Sequence, residues 1–410
     1  MSKWEWKKLG EVCEIARGGS PRPIKEYITS DADGINWIKI GDTDPTGKYI
    51  FSTEEKIKPS GIKKSRYVES GDFLLSNSMS FGRPYILKTN GCIHDGWLVL
   101  KNYQKYLDVN FFYHLLSSPI AQEQFNQEAK GSTVRNLNTD IVSKVYVPIP
   151  PLSEQKRIVK FLDEEFSKID TLKTNAETNL KNAKELFETT LEKELNPPSR
   201  HSERSEKSSA DLPSGWEWKS LQEISNVYGE YGLSVPSTSY NGIRYLRITD
   251  ITDDGRLNDE YVSADIEKVE ESDKLQEGDI LFARTGATVG KTLIFKEDYG
   301  CCVFAGYLIR YRPKKEVVLP FYLHYVTHSK YYFDWVKKSQ KAAAQPNISA
   351  KLYNAFQIPL PPLSVQKEIV ARLDKLSENV KRLEANYKQI IADCDELKKS
   401  ILKKTFEGES

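Results

Sequence analysis

The sequence predicts an α+β fold of two similar globular halves. An antiparallel coiled coil of two long helices separates them, and an internal pseudo-two-fold repeat relates them. Three observations predict it: the chain repeats itself, each copy opens on a strand-rich stretch, and each closes on a long helix behind a Pro-Pro break.

The repeat spans the chain. "WEWKKLGEVCEI" at 4–15 returns as "WEWKSLQEISNV" at 216–227, and "GINWIKIGDT" at 34–43 as "GIRYLRITDI" at 242–251. "SGDFLLS" at 70–76 matches "EGDILFA" at 277–283, and "FFYHLL" matches "FYLHYV", aligning His114 with His324. The clearest copy is "VPIPPLSEQKRIVKFLD" at 147–163 against "IPLPPLSVQKEIVARLD" at 358–374. Two halves this large, each with its own apolar stretches, are domains and not solenoid repeats. The expected organisation is a first globule over 1–152, a long helix over 153–195 and a polar, Pro/Ser-rich linker over 196–215. A second globule over 216–363 and a second long helix over 364–406 follow.

Within each globule, short apolar runs separated by turn residues read as strands: "INWIKI", "DFLLS", "YILK", "WLVLK" and "YVPIP" in the first copy, "IRYLRI", "DILFA", "TLIF" and "YLIRYR" in the second. A helical segment interrupts them near "NFFYHLLSSPIAQEQF" and "PFYLHYVTHSKYYFDWV". The prolines before Ser153 and Ser364 cannot be helical, so the serines are expected to cap the long helices. The second helix carries a strict 4–3 apolar seam: Ile369, Leu373, Leu376, Val380, Leu383, Tyr387, Ile390, Cys394, Leu397 and Ile401. The matching positions of the first (Ile158, Leu162, Glu165, Ile169, Leu172, Ala176, Asn179, Ala183, Leu186, Thr190) form a weaker seam, beside which Phe166, Leu180, Phe187 and Leu191 offer a second face. Helices of roughly 64 Å exceed what one globule covers, so they are expected to pair with each other.

Composition excludes several classes. Lys and Arg number 59 against 58 Asp and Glu, so no global field draws the chain to nucleic acid or membrane, and any DNA contact must be local. No apolar stretch reaches membrane-span length, and "MSKWEWKKLGEV" lacks a signal-peptide core, which gives a cytoplasmic, membrane-free expectation. Five unpatterned cysteines read as buried thiols in a reducing compartment, and no CxxC pair invites a metal. The five histidines are scattered along the chain and read as structural.

"ARTGATVGKT" at 283–292 looks like a phosphate-binding loop, but Gly286 and Gly290 enclose only three residues where a P-loop needs four. The flanks, "GDILFA" and "TLIFK", read as strands, so a hairpin turn is expected, and the first copy has "SNSMSFGRP" there. "NPPS" at 196–199 evokes the loop of adenine methyltransferases, yet Ser199 replaces its aromatic residue and no strand precedes it. No nucleophile–base pair, metal set or cofactor motif stands out, so a non-enzyme without cofactor or metal is expected.

What remains is a polar and basic set in the turns of both copies. The first contributes Arg17, Ser20, Arg22, Lys25, Asn77, Arg83, Lys130, Ser132, Arg135, Asn136 and Asn138. The second contributes Arg244, Arg247, Arg284, Thr285, Lys291, Lys341, Gln345 and Asn347. Arg, Asn and Gln can bond base edges, while Lys, Ser and backbone N–H groups suit phosphates.

These features resemble the specificity subunits of type I restriction–modification systems. The residues that carry the resemblance are "WEWKKLGEV", "RGGSPRP", "INWIKIGD", "KGSTVRNLN" and "VPIPPLSEQKRIVKFLD", with their second copies "WEWKSLQEI", "IRYLRITD", "AAAQPNIS" and "IPLPPLSVQKEIVARLD". The departures are Val365 in place of Glu154 and the unusual linker "SRHSERSEKSSAD". The resemblance implies two target-recognition domains, each reading half of a bipartite double-stranded DNA site, and helices that set the spacing. It implies docking of two modification (adenine methyltransferase) subunits, with restriction/translocase subunits joining through the complex. The alternatives are a coiled-coil assembly scaffold with no DNA-reading role, and an adenine methyltransferase in its own right.

Overall fold

The computed structural model describes residues 4–44, 46–77, 81–128, 136–195, 212–252, 255–340 and 347–407. It divides into two compact units, Met1–Glu177 with Lys388–Ser410, and Thr178–Tyr387, so each unit takes part of both long helices.

In the first unit the main sheet runs in the order Glu14–Arg17, Trp97–Lys101, Phe73–Ser76, Pro84–Leu87, Tyr49–Ile50. Its central strand, "FLLS", is buried along its whole length. Helices Val109–Ser117 and Pro119–Glu128 supply Phe111, Phe112, Leu115 and Phe125 to the core on one face, with the rings of Phe73 and Phe112 4.8 Å apart. Asp108 caps the first of these helices, accepting from the N–H groups of Asn110 (2.9 Å) and Phe111 (3.2 Å). A second five-stranded sheet contains the parallel pair Ile35–Ile38 and Gly91–Ile93.

The second unit repeats this plan with fewer paired strands. Its main sheet runs Ser225–Tyr231, Leu308–Pro313, Ile280–Ala283, Thr292–Ile294, and the parallel pair returns as Arg244–Leu246 with Cys302–Phe304. The edge ribbon is the same in both: Trp6 stands opposite Pro148 in the first unit and Trp218 opposite Pro359 in the second. That pairing ties the start of each copy to the strand that leads into its long helix.

The long helices are Leu152–Leu195 and Leu363–Glu407. Both begin one residue before the serines expected at their caps: the carbonyls of Pro151 and Pro362 accept from the backbone N–H of Gln155 and Gln366 (3.0 Å each), leaving Ser153 and Ser364 in the first turn. The glutamines explain why "PPLSxQK" is doubled. Gln155 is fully buried; its Nε2 donates to the carbonyls of Tyr106 and Pro150 (2.8 Å each), and its Oε1 accepts from the Asp108 N–H (2.8 Å). Gln366 repeats the set with Val317 (3.0 Å), Pro361 (2.8 Å) and the Leu319 N–H (2.8 Å).

Within the first unit the two helices run antiparallel, with Asp170 paired to Lys398 (2.5 Å) and Lys173 to Asp395 (2.7 Å). Leu402 and Phe406 from the end of the second helix enter that unit's core, where Phe406 meets Phe111 edge-on. In the second unit Leu191 and Leu195, from the end of the first helix, enter the core beside Ile369 and Leu373.

The seam differs from the strict 4–3 expectation. Ile158, Leu162, Ile169, Ala176 and Ala183 are buried, but the face ends on Leu191 and not Thr190. In the second helix it passes through Ile369, Leu373, Val380 and Cys394 to Leu402 and not Ile401. An ideal helix drifts by about 20° per heptad against a seven-residue repeat, which moves the contact face along by one residue over this length. Leu172, Leu186, Leu383 and Leu397, expected in the seam, are 51%, 55%, 38% and 48% exposed.

All five cysteines are free thiols; Cys301 is exposed, against the expectation that all are buried. Among the described residues no helix is long and apolar enough to cross a membrane.

Candidate functional site

Both units build one junction at the end of the central strand. In the first, Asn77 follows the strand Phe73–Ser76; its N–H donates to the Gly96 carbonyl (3.0 Å) and its carbonyl accepts from the Leu137 N–H (2.8 Å). In the second, Arg284 follows Ile280–Ala283 and repeats both bonds with Tyr307 (3.1 Å) and Ile348 (2.9 Å). Three segments distant in sequence thus meet in each copy. A fourth joins them through a close approach: a Cβ on Gly18 would lie 2.1 Å from the His94 carbonyl oxygen, and one on Gly232 2.2 Å from that of Phe304. Only glycine lets the chain after the edge strand pass there.

In the first unit the junction gathers on Asp95, a residue not among the candidates read from the sequence. The Ser20 hydroxyl donates to its carboxylate (2.6 Å), and Arg22, with its side chain 83% exposed, stands 3.8 Å away. Arg17 Nε (3.2 Å) and Asn77 Nδ2 (2.8 Å) both donate to its carbonyl. The Ser20 hydroxyl is the main cause holding the Asp95 carboxyl below its ordinary pKa, with the charges of His94 and Arg17 adding to it. The "RGGSPR" motif therefore wraps an ionised carboxylate at the surface. Such a group accepts from amino donors, including cytosine N4.

The remaining first-copy candidates separate by position. Asn77 is 2% exposed, so its amide acts inside. Arg83 donates to the Gly47 carbonyl (3.3 Å) and lies over the Tyr85 ring. Asn138 caps the helix Thr139–Lys144 through the Ile141 N–H (2.9 Å). Lys25 is exposed, and Asn136 is half-buried next to Leu137. Lys130, Ser132 and Arg135 lie outside the described residues, as do Lys341 and Gln345 of the second copy.

In the second unit, Arg244 is 3% exposed and donates to the carbonyls of Asn258 (2.5 Å) and Glu260 (2.9 Å), so it braces the interior. Arg247 pairs with Asp250 (2.7 Å) and Glu260 (2.9 Å). Lys291 is half-buried, with its ammonium 3.4 Å from the Ile251 carbonyl. Arg284, Thr285 and Asn347 come together: Thr285 and Asn347 form an isolated antiparallel bridge, and Arg284 Nε donates to Asn347 Oδ1 (3.4 Å). The Arg284 guanidinium lies 4.7 Å from the centre of the Tyr231 ring, and Tyr307 beside it is 61% exposed. Neither tyrosine was legible as part of a site. The segment "ARTGATVGKT" runs from the end of the strand Ile280–Ala283 through the 3-10 turn Gly286–Thr288 to the start of the antiparallel strand Thr292–Ile294, the hairpin expected from its flanks.

Two histidine arrangements escaped the sequence reading. His114 is buried against Asp163 of the long helix (Nε2 to Oδ1, 2.9 Å), a companion carboxylate supplied from far along the chain. His324 and His328 stand four residues apart, with ring centres 4.2 Å from each other. Among the described residues no group of three or more His, Cys, Asp or Glu is placed to hold a metal ion.

Comparison with known proteins bears on this geometry. A family model described as the type I restriction modification DNA specificity domain matches residues 1–182 and again 213–392. The type I restriction enzyme EcoBI specificity subunit of Escherichia coli is 28% identical over 314 residues, which are 73% of this chain and 65% of that protein, slightly under two thirds of its length. The EcoKI specificity subunit of Escherichia coli strain K12 is 27% identical over 426 residues, covering 99% of this chain and 89% of its own. A solved chain from the structure describing complex assembly and conformational transition of the type I R-M system shares the fold, with a TM-score of 0.79 at 24% identity over 99% of this chain and 98% of that one. The chain belongs to the specificity-subunit family of type I restriction–modification systems and carries its DNA specificity domain twice.

Proposed function

We propose that this chain is the non-catalytic, DNA-reading subunit of a cytoplasmic type I restriction–modification complex. Each compact unit reads one half of a bipartite double-stranded target through its strand-end junction. Two modification (adenine methyltransferase) subunits dock on the long helices, and restriction/translocase subunits join through the complex. The helices, each shared between the units, set the gap between the half-sites.

One observation carries this reading: the same backbone frame holds different side chains in the two copies. Asn77 in one is Arg284 in the other, and the Asp95 cluster of the first is replaced by Tyr231, Arg284 and Asn347 in the second. A conserved frame with exchanged polar side chains is what reading two unlike half-sites requires, because base edges and not phosphates carry sequence. With a net charge of +1, much of the phosphate attraction falls to partner subunits. The exposed leucines of both helices support the docking role.

A gel shift tests it. The chain assembled with its methyltransferase subunits should retard a duplex carrying both half-sites and lose that complex when either half is scrambled. No shift with any genomic fragment would favour the assembly-scaffold reading.

A further inference from the structure

Arg284 differs from the other two second-copy arginines singled out in the sequence. Arg244 and Arg247 are bonded to carbonyls and carboxylates within the fold. Arg284 has no carboxylate partner among the described residues, yet it is held at several points. Its backbone is pinned by Tyr307 and Ile348, its guanidinium lies over Tyr231, and its Nε donates to Asn347. The ring beneath it is held as well, since the Tyr231 hydroxyl accepts from the Ala350 N–H (3.1 Å). Among the described residues neither Nη group of Arg284 has a hydrogen-bond partner.

That arrangement selects a ligand. A guanidinium fork can bond a phosphate as well as a base edge, so a fixed plane of donors narrows the ligand to groups that offer two acceptors side by side. A guanidinium fixed at Nε and on one face offers two parallel donors in a set plane. In the major groove guanine presents two acceptors together, O6 and N7; adenine pairs one acceptor with a donor, cytosine offers a donor, and thymine offers one acceptor beside a methyl group. We infer that Arg284 reads a guanine in the half-site of the second unit, with Tyr231 and Asn347 as its positioning residues. The inference rests on the DNA-reading function proposed above. It is confined to the second half-site, because the equivalent Asn77 is buried with its amide bonded to the Asp95 carbonyl.

The test is to express the chain with its methyltransferase subunits in a host free of other adenine methylation and to map modified adenines. The wild-type motif should be bipartite, with a G·C pair in the half that follows residues 216–358 when that segment is exchanged. Arg284→Ala should keep the first half-site and lose at least about tenfold discrimination at that one pair. Tyr231→Leu and Asn347→Ala should relax the same pair and no other, while Tyr231→Phe, which keeps the ring face and loses only the bond from the Ala350 N–H, should relax it less than Tyr231→Leu. Competition binding by the assembled complex, using duplexes changed at that pair, reads the same preference independently of turnover. An unchanged motif in Arg284→Ala, or methylation lowered evenly at every position, would overturn the inference while leaving DNA reading intact. A wild-type complex with no bipartite motif would overturn both.

Discussion

Gln155 and Gln366, equivalent residues of the two copies, each fasten the first turn of a long helix to the preceding globule through three side-chain hydrogen bonds. Both are fully buried, so truncation leaves backbone groups without partners and without water. Gln155→Ala and Gln366→Ala should each cost about 2–4 kcal/mol. Urea denaturation measures this, and a cost under about 1 kcal/mol would show that the glutamines do not fix the helix starts.

Acid should destabilise the first unit through its histidines. Burial lowers the pKa of both His94 and His114, outweighing the neighbouring Asp95 and Asp163 carboxylates that raise them. The folded rings therefore refuse protons that the unfolded chain accepts below about pH 6.5. Stability is full above that pH and falls as the pH drops through it toward the lowered folded values. Melting temperature should decrease from pH 7.5 to 5.5, and His114→Gln should flatten the decrease. A melting temperature that rises on acidification would contradict this.

The leucines turned out of the seam should matter for assembly and little for folding. Leu172→Lys with Leu397→Lys should shift stability by less than about 1 kcal/mol in total, since both sites are exposed. Co-purification of the methyltransferase subunits should nevertheless drop sharply. Undiminished co-purification would place the docking surface elsewhere.

Shortening both long helices by one heptad in register should change the gap in the recognised site. The cut removes about 10 Å of helix, equivalent to roughly three base pairs. The mapped motif should keep its half-sites and shrink its gap, whereas shortening one helix alone should impair assembly. Full activity at the original spacing would show that the helices do not measure the gap.

The long helices were legible in the sequence because a Pro-Pro break and an apolar heptad pattern are local signals. Which side of the seam faces out was not, because the one-residue drift to Leu191 and Leu402 depends on how far the helices supercoil. Arg284 and Asn347 were both legible as turn residues able to bond bases, but their contact joins positions 63 residues apart. Asp95 was invisible for the same reason: it meets Ser20 across 75 residues, and an isolated Asp-Gly reads only as a turn. Arg244 illustrates the converse, a basic residue in a promising motif that the fold takes inside to bond two carbonyls.

Whether each unit reads its own half-site is decided by a domain graft followed by methylation mapping. Residues 216–358 are replaced by the matching segment of a relative with a different target, and the chain is expressed with its own methyltransferase subunits. The grafted chain should direct methylation to a motif with one half replaced by that of the donor and the other half and the gap unchanged. A graft that alters both halves, or that methylates the original motif unchanged, would contradict it.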